Sequence, residues 1–307
     1  RFKVIGGARF QTVETVAEET PGFDTEGLDF EDDSFVYSVN LLYSLTDSLN
    51  LVGSWGTAFR APNIVERLFN GLTPEGAGFQ ILNPDLQSEE SENWDLGLKF
   101  RTRRAHLELF YFENEIEDGV IQYFLTPGEI AQLPEATRAE IEATGVGFVV
   151  QQRNLDQLIF EGVELAGGYR FDSGLEIGGN FSYLEGERVD STNPPTGDSY
   201  SDKTNVYVRW APTGSRWSAE YRLRHQGEED VALTAGEPPP VVGEVIPSFT
   251  VHSLLGSLTL GERSGRRHTL TLGVENLTDE LYAEFSNATF FRPQSERHVF
   301  VGYRLEL

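Results

Sequence analysis

The sequence predicts an all-β chain, an antiparallel up-and-down transmembrane β-barrel with about twelve strands present, on three observations. Apolar and polar residues alternate with period two from end to end. The connections between alternating runs are short and long by turns. Aromatic residues stand near the ends of runs (Trp55, Phe59, Trp94, Trp210 and Trp217), where an interfacial girdle needs them. No stretch approaches the roughly 20 consecutive apolar residues of a membrane-spanning helix, so any spanning must be done by strands.

Taken in order, the first run covers 1–13 and opens at Arg1-Phe2-Lys3-Val4-Ile5, already inside the alternation. The expectation is a piece of a longer chain, with any export signal upstream. Over 34–45, Phe35, Tyr37, Val39, Leu41, Tyr43 and Leu45 share one parity and Ser38, Asn40 and Ser44 the other. After 49–60, the run 91–101 sets Trp94, Leu96, Leu98 and Phe100 against Asn93, Asp95, Lys99 and Arg101. Runs at 104–123, 147–171 and 175–189 follow. Over 202–212, Val206, Val208 and Trp210 oppose Asn205, Tyr207 and Arg209; over 216–229, Trp217, Ala219, Tyr221 and Leu223 oppose Ser218, Glu220, Arg222 and Arg224. Runs at 249–261, 267–276 and 297–307 complete the series. Charges at the inward parity are costly in a dry sandwich core but suit a wet or plugged lumen. Several runs also exceed the 5–6 residues usual in globular sheets, which favours a barrel over a soluble sandwich or jelly roll.

The turns at Thr46-Asp47-Ser48, Arg101–Arg104, Asp172-Ser173-Gly174, Pro212–Ser215 and Gly261–Arg267 are brief, whereas 14–33, 61–90, 124–146, 190–201, 230–248 and 277–296 are long. Short turns on one rim and long loops on the other is the outer-membrane layout, with the long loops outside the cell. Only 128–144 has a helical pattern, and Pro134 divides it into one or two short helices. Pro238-Pro239-Pro240 is a rigid spacer in another loop.

The formal charge is -25 and unevenly spread. The segment 14–33 carries nine acids and no base, while Arg101, Arg103, Arg104, Arg263, Arg266 and Arg267 gather at short turns. Phosphate neutralisation needs a basic face, so nucleic acid is excluded as a partner. With no cysteine there is no disulfide or thiolate metal site. Asp29, Glu31, Asp32 and Asp33 offer oxygen ligands of the kind Ca²⁺ takes, but without a recognised spacing they are expected to form a solvated, charge-repelling loop. The histidines 106, 225, 252, 268 and 298 are scattered singly, and no metal or cofactor is expected. There is no GxSxG word and no phosphate-binding glycine loop, so an enzyme is not expected.

Specific words narrow the reading. Gly56-Thr57-Ala58-Phe59-Arg60-Ala61-Pro62-Asn63 ends one strand, and Asn83-Pro84-Asp85-Leu86 precedes the strand that starts near Glu92-Asn93-Trp94. Pro62 and Pro84 remove backbone donors and close strand pairing, and Asn63 and Asn83 suit turns. Gly162 stands on the lumen parity beside Glu164, where a missing side chain would let an inner body approach. The pair of words resembles the FRAP and NPDL boxes of TonB-dependent receptors. Three more words follow in that family's order: Phe110 to Asp118, Phe160-Glu161-Gly162-Val163-Glu164-Leu165, and Val274 to Tyr282.

The resemblance covers roughly 49–307 and implies that 1–307 is part of a 22-stranded barrel whose early strands and N-terminal plug lie outside this sequence. It further implies a Gram-negative outer-membrane receptor, set among lipid and lipopolysaccharide. Such a receptor takes up a ferric siderophore or similar large nutrient complex, energised by a TonB-type partner through the plug. Haem, cobalamin and oligosaccharide are lesser cargo alternatives, and a passive porin or an autotransporter translocator are alternative classes. Residues 63–82 contain no histidine, which counts against haem capture by a ligand between the boxes, and the chain ends in Leu307 where the family has an aromatic residue. The cargo-facing candidates are Arg60, Asn63, Glu66, Arg67, Asn83 and Asp85; Arg60 and Arg67 could bond carboxylate or catecholate oxygens, or Arg60 could pair with lumen carboxylates. Phe69, Phe79, Phe290 and Phe291 could stack on a flat cargo or pack loop against loop.

Overall fold

In the computed structural model of the chain, residues 1–16, 28–74, 76–190, 193–199, 202–230, 245–263, 266–284 and 293–306 are described. Strands β1 (Phe2–Thr15), β2 (Phe30–Ser44) and β3 (Leu49–Arg60) come first. The connection after β3 holds a helix, α1 (Ile64–Leu68), and two short strands, β4 (Gly71–Leu72) and β5 (Gly78–Ile81). Next are β6 (Glu89–Arg101) and β7 (Ala105–Phe124), then helices α2 (Pro127–Gln132) and α3 (Glu135–Thr144). β8 (Phe148–Arg170) and β9 (Leu175–Asp190) return, and β10 (Asn193–Ser199) folds back on β9. β11 (Lys203–Trp210) and β12 (Trp217–Gln226) follow, with a two-residue ladder of β13 (Glu229–Asp230) and β14 (Val245–Ile246) set apart. β15 (Phe249–Arg263), β16 (Arg266–Glu275) and β17 (His298–Glu306) finish the sheet. Its main path is a meander of twelve strands, β1-β2-β3-β6-β7-β8-β9-β11-β12-β15-β16-β17, antiparallel at every step.

Each expected run is a strand, and two connections are shorter than expected. The acids at 31–33 belong to β2, where Glu31, Asp32 and Asp33 pair with Glu14, Val13 and Thr12, so the expectation of a solvated loop there is corrected. Alternation carries on through the charges because strand pairing needs backbone donors and acceptors, whatever side chains alternate above them. Within 190–201, β10 prolongs the β9 hairpin, and the ladder shifts register between Asn193 and Thr196, where Pro194 and Pro195 lack donors. The helical stretch divides at Pro134 into α2 and α3. Thr126 caps α2 in a box with Glu129, and Gly145 closes α3 in the left-handed conformation that favours glycine (φ 66°). Pro238-Pro239-Pro240 lies outside the described residues.

The two faces of the sheet differ as the alternation requires. Val206, Leu270 and Leu272 are 38 %, 36 % and 53 % exposed on the outer face, not sealed against a second sheet. Outward rings line both borders of this apolar band. Tyr37 and Trp55 (5.0 Å between centroids) and Trp94 and Tyr111 (5.1 Å) lie toward the long-loop rim. Trp210 and Trp217 (5.3 Å) and Tyr169 and Phe171 (4.6 Å) lie at the short turns. The inner face is polar: Ser44 donates to Asn50 (2.8 Å), Asn205 to Asn180 (2.9 Å), Ser54 to Asp95, and Ser218 and Ser257 meet at 2.7 Å.

Inward glycines receive aromatic rings from the strand alongside. Phe110 lies on Gly97, Phe112 on Gly162, Tyr207 on Gly178 and Phe300 on Gly273, each pair in direct register. The space at Gly162 is therefore taken by the Phe112 ring and the Tyr183 carbonyl, both from the wall itself, rather than by a separate inner body.

Candidate functional site

The described apolar cluster of the chain lies at the long-loop rim, where two connections fold into one cap. Strand β5 pairs in parallel with the start of β8, Gly78 to Ile81 against Phe148 to Gln151. Phe79, Ile81, Leu125, Ile141 and Val149 are buried together, with Tyr123, Ile130, Leu133 and Val146 packed around them. Hydrogen bonds stitch the seam: Gln151 Nε2 to the Leu82 carbonyl (3.0 Å), Asn83 Nδ2 to the Gln152 carbonyl (2.8 Å), and Asn154 Nδ2 to the Gln87 carbonyl (3.0 Å). Arg153 donates to Glu129 at 2.8 Å and lies 4.1 Å from the Tyr123 ring centre. Phe79 is thus a loop-packing residue at 1 % exposure; Phe69 is the C-cap of α1, and Phe290 and Phe291 lie outside the described residues.

The six candidate residues form the root of this cap. β3 stops at Arg60, since Pro62 has no donor to continue the ladder. Asn63 caps α1, its Oδ1 accepting from the amides of Val65 (2.9 Å) and Glu66 (3.0 Å), while Glu66 accepts from the Asn63 amide (2.8 Å). Arg60 donates to both Glu66 oxygens (2.9 and 3.0 Å) and to Glu89, which also accepts the Val120 amide at 2.7 Å. Arg67 is 3 % exposed and grips both oxygens of Asp32 at 2.8 and 2.7 Å. It also donates to the Leu86 carbonyl at 3.1 Å and lies 4.5 Å from the Phe30 ring centre. Ser88 adds a 2.6 Å bond to Asp32. Asn83 Oδ1 accepts the Asp85 amide at 3.3 Å, and the Asp85 side chain faces solvent.

The structure thus joins Arg60 with Glu66 and Asn63, and Arg67 with Asn83 through the Asn83 amide on the Arg67 carbonyl (2.8 Å). It leaves Asp85 apart on the surface. Asp32, Ser88 and Glu89, which complete these contacts, were not among the cargo-facing candidates. Asp32 lay inside the acid run, and nothing at the sequence level marks a partner 35 positions away. Burial opposes ionisation of Glu129, yet the Thr126 amide and hydroxyl and the Arg153 guanidinium outweigh it and hold its pKa below the ordinary carboxylate value.

Further along the inner wall, a cavity of about 800 Å³ opens between β11, β12, β15 and the segment after β16. Arg224 reaches across it to Glu284 and, at 2.8 Å, to the Tyr282 hydroxyl. Asn276, 2 % exposed, holds that segment by donating to the Glu280 carbonyl (2.8 Å) and accepting the Glu280 amide (2.8 Å). Among the described residues no group of three or more His, Asp or Glu is placed to hold a metal ion.

A meander with an apolar outer band, a polar inner face and folded loops on one rim is the wall of a β-barrel of the kind that crosses a membrane with strands. The chain belongs to the family described as TonB dependent receptor-like, beta-barrel, whose model matches residues 1–277. It is 25 % identical over 304 residues to the hemoglobin-haptoglobin utilization protein B of Neisseria meningitidis serogroup A, covering 92 % of this chain and 37 % of that protein. In fold it is similar to the copper transporter OprC (TM-score 0.72, 18 % identity, 98 % of this chain and 45 % of that one). The FrpB iron transporter from Neisseria meningitidis gives a TM-score of 0.71 at 16 % identity, with 98 % and 42 % covered. The chain spans less than half the length of these relatives.

Proposed function

We propose that residues 1–307 form part of the barrel of an outer-membrane importer, the remaining strands and the plug being supplied by sequence beyond these residues. The cargo is a ferric siderophore or similar nutrient complex, and the energy comes from a TonB-type partner acting through the plug. The observation that carries this reading is the cap: two connections spend an apolar cluster, a buried ion pair and a parallel strand pairing on a fixed shape at the mouth of a polar-lined wall. Binding residues are disproportionately carried on loops held by a rigid scaffold, and a cap of fixed shape at the mouth of the wall supplies such a platform. Relatives named as a ferric enterobactin receptor and as copper and iron transporters support transport rather than catalysis.

The test is growth of a receptor-deletion strain on single iron sources with the full-length gene restored. Rescue on one iron complex, lost when the TonB-type partner is deleted, is the expected result. Failure on every iron source ends the iron reading, and rescue that survives loss of the partner ends the energised one.

A further inference from the structure

We propose that the long-loop rim admits neutral or cationic complexes and turns anionic ones away. The proposal rests on the importer reading and narrows its cargo. Its basis is what the arginines are doing, rather than the number of acids.

The six long connections hold three bases, Arg67, Arg138 and Arg292, against carboxylates in every one of them. Arg67 is buried under Phe30 with both terminal guanidinium nitrogens on Asp32 and the Leu86 carbonyl, its Nε being buried without a partner among the described residues. Arg138 donates to the Leu133 carbonyl at 3.1 Å, and Arg292 lies outside the described residues. Several bases at the upper ends of the strands are also engaged. Arg60 is shared between Glu66 and Glu89, Arg153 serves Glu129, Arg224 serves Glu284, and Arg297 lies 3.8 Å from Asp279.

A catecholate or carboxylate chelate is held by forked, charge-assisted donors that are free to turn toward it. Recruiting Arg67 would instead strand Asp32 as a buried, unpaired charge. The inner-parity bases with no ion pair among the described residues, Lys3 and Arg9 on β1, Arg101 on β6 and Lys203 on β11, are spread along the sheet path rather than gathered at one place. The exposed Asp85 and Asp118 at the rim meanwhile keep their charge open to solvent, while Glu90 and Glu92 stand on the outer parity with Trp94. A rim whose connections carry a large excess of one sign of charge enriches the opposite sign around it, so a protonated amine on a hydroxamate chelate is drawn in and a tris-catecholate is repelled.

The experiment has two arms, both on the full-length receptor. In the first, a fluorophore on a single reactive cysteine, Val65→Cys at the exposed face of α1, is quenched by iodide, by neutral acrylamide and by a pyridinium cation in a neutral detergent. At low salt the cation should quench at least about threefold better than iodide relative to acrylamide, with the gap closing as salt screens the rim. Equal quenching overturns the proposal. In the second arm, cells take up a cationic ferric trihydroxamate with a free amine, its neutral N-acetyl form, and an anionic ferric tris-catecholate. Uptake should fall in that order, and fastest uptake of the tris-catecholate overturns the proposal. If no iron complex enters, the importer reading fails on its own, and the quenching ratio still decides the charge preference.

Discussion

Arg67 and Asp32 meet through two hydrogen bonds, at 2.7 and 2.8 Å, although one sits on a helix after β3 and the other on β2. The pair ties the cap back to a strand that it does not follow directly in the chain. Because Asp32 is only 10 % exposed and Arg67 4 % by side chain, neither can fall back on water. Removing one partner of a buried pair costs about 3–5 kcal/mol, whereas replacing both by apolar residues costs far less. Arg67→Met in the full-length receptor should therefore raise hydrogen exchange and protease cutting across 61–88, and Asp32→Leu added to it should restore much of the protection. Protection equal to the parent in the single variant would show that the ion pair does not hold the loop.

How far the sequence foretold this arrangement depends on the range of the contacts. Strand positions were legible because alternation is local: Trp94, Leu96 and Leu98 declare their face without reference to any neighbour. The break at Pro134 was legible for the same reason, whereas the helix α1 that Asn63 and Glu66 cap was not, since Asn63 by residue type suggests only a turn. The Arg67 and Asp32 clamp, the Asn83 bond to Gln152 and the β5 pairing with β8 join residues tens of positions apart. Which carboxylate an arginine selects is decided by the three-dimensional route of two loops, and nothing in the neighbouring residues encodes it. For the same reason Arg67, a cargo candidate by residue type and position, turns out to be buried.

Glu129 gives the cap a pH dependence of known sign. Burial raises its pKa, but the Thr126 and Arg153 hydrogen bonds overcome that penalty and hold it below the ordinary carboxylate value in the folded state. A depressed carboxylate contributes stability above its unfolded pKa and loses it as pH falls through the folded one. The start of α2 should thus stay protected at neutral pH and loosen as pH drops below the ordinary carboxylate range. In Glu129→Gln that pH dependence should disappear, with weaker protection at neutral pH. Hydrogen exchange of 126–132 measured across the acid range checks it, and an unchanged acid response in the variant would assign the effect to another group.

Gly162 is squeezed between the Phe112 ring and the Tyr183 carbonyl, so an added side chain must displace backbone as well as a ring. Overpacking of this kind costs about 1–3 kcal/mol. Gly162→Val should lower the amount of heat-modifiable, folded receptor recovered from membranes. Adding Phe112→Ala should return only part of the yield, because the carbonyl contact remains. Full recovery in the double variant would mean that the ring alone set the limit.

The orientation of the whole wall can be read at two adjacent positions of β16. Leu272 is 53 % exposed on the outer parity opposite Val301, and Thr271 takes the inner parity opposite Gly302. If the outer band meets hydrocarbon, a lysine at Leu272 has no water for its charge and should cost about 2–4 kcal/mol near the bilayer midplane, less if it can snorkel. At Thr271 the same lysine enters a polar interior and should be tolerated. Urea unfolding of the full-length receptor in bilayers, with Leu272→Lys compared against Thr271→Lys, reads the difference directly. The two substitutions change the same charge one residue apart, so local strand propensity and net charge are matched and only the face differs. An equal penalty at both positions would mean that the two faces see the same solvent, and a larger one at Thr271 would turn the wall inside out.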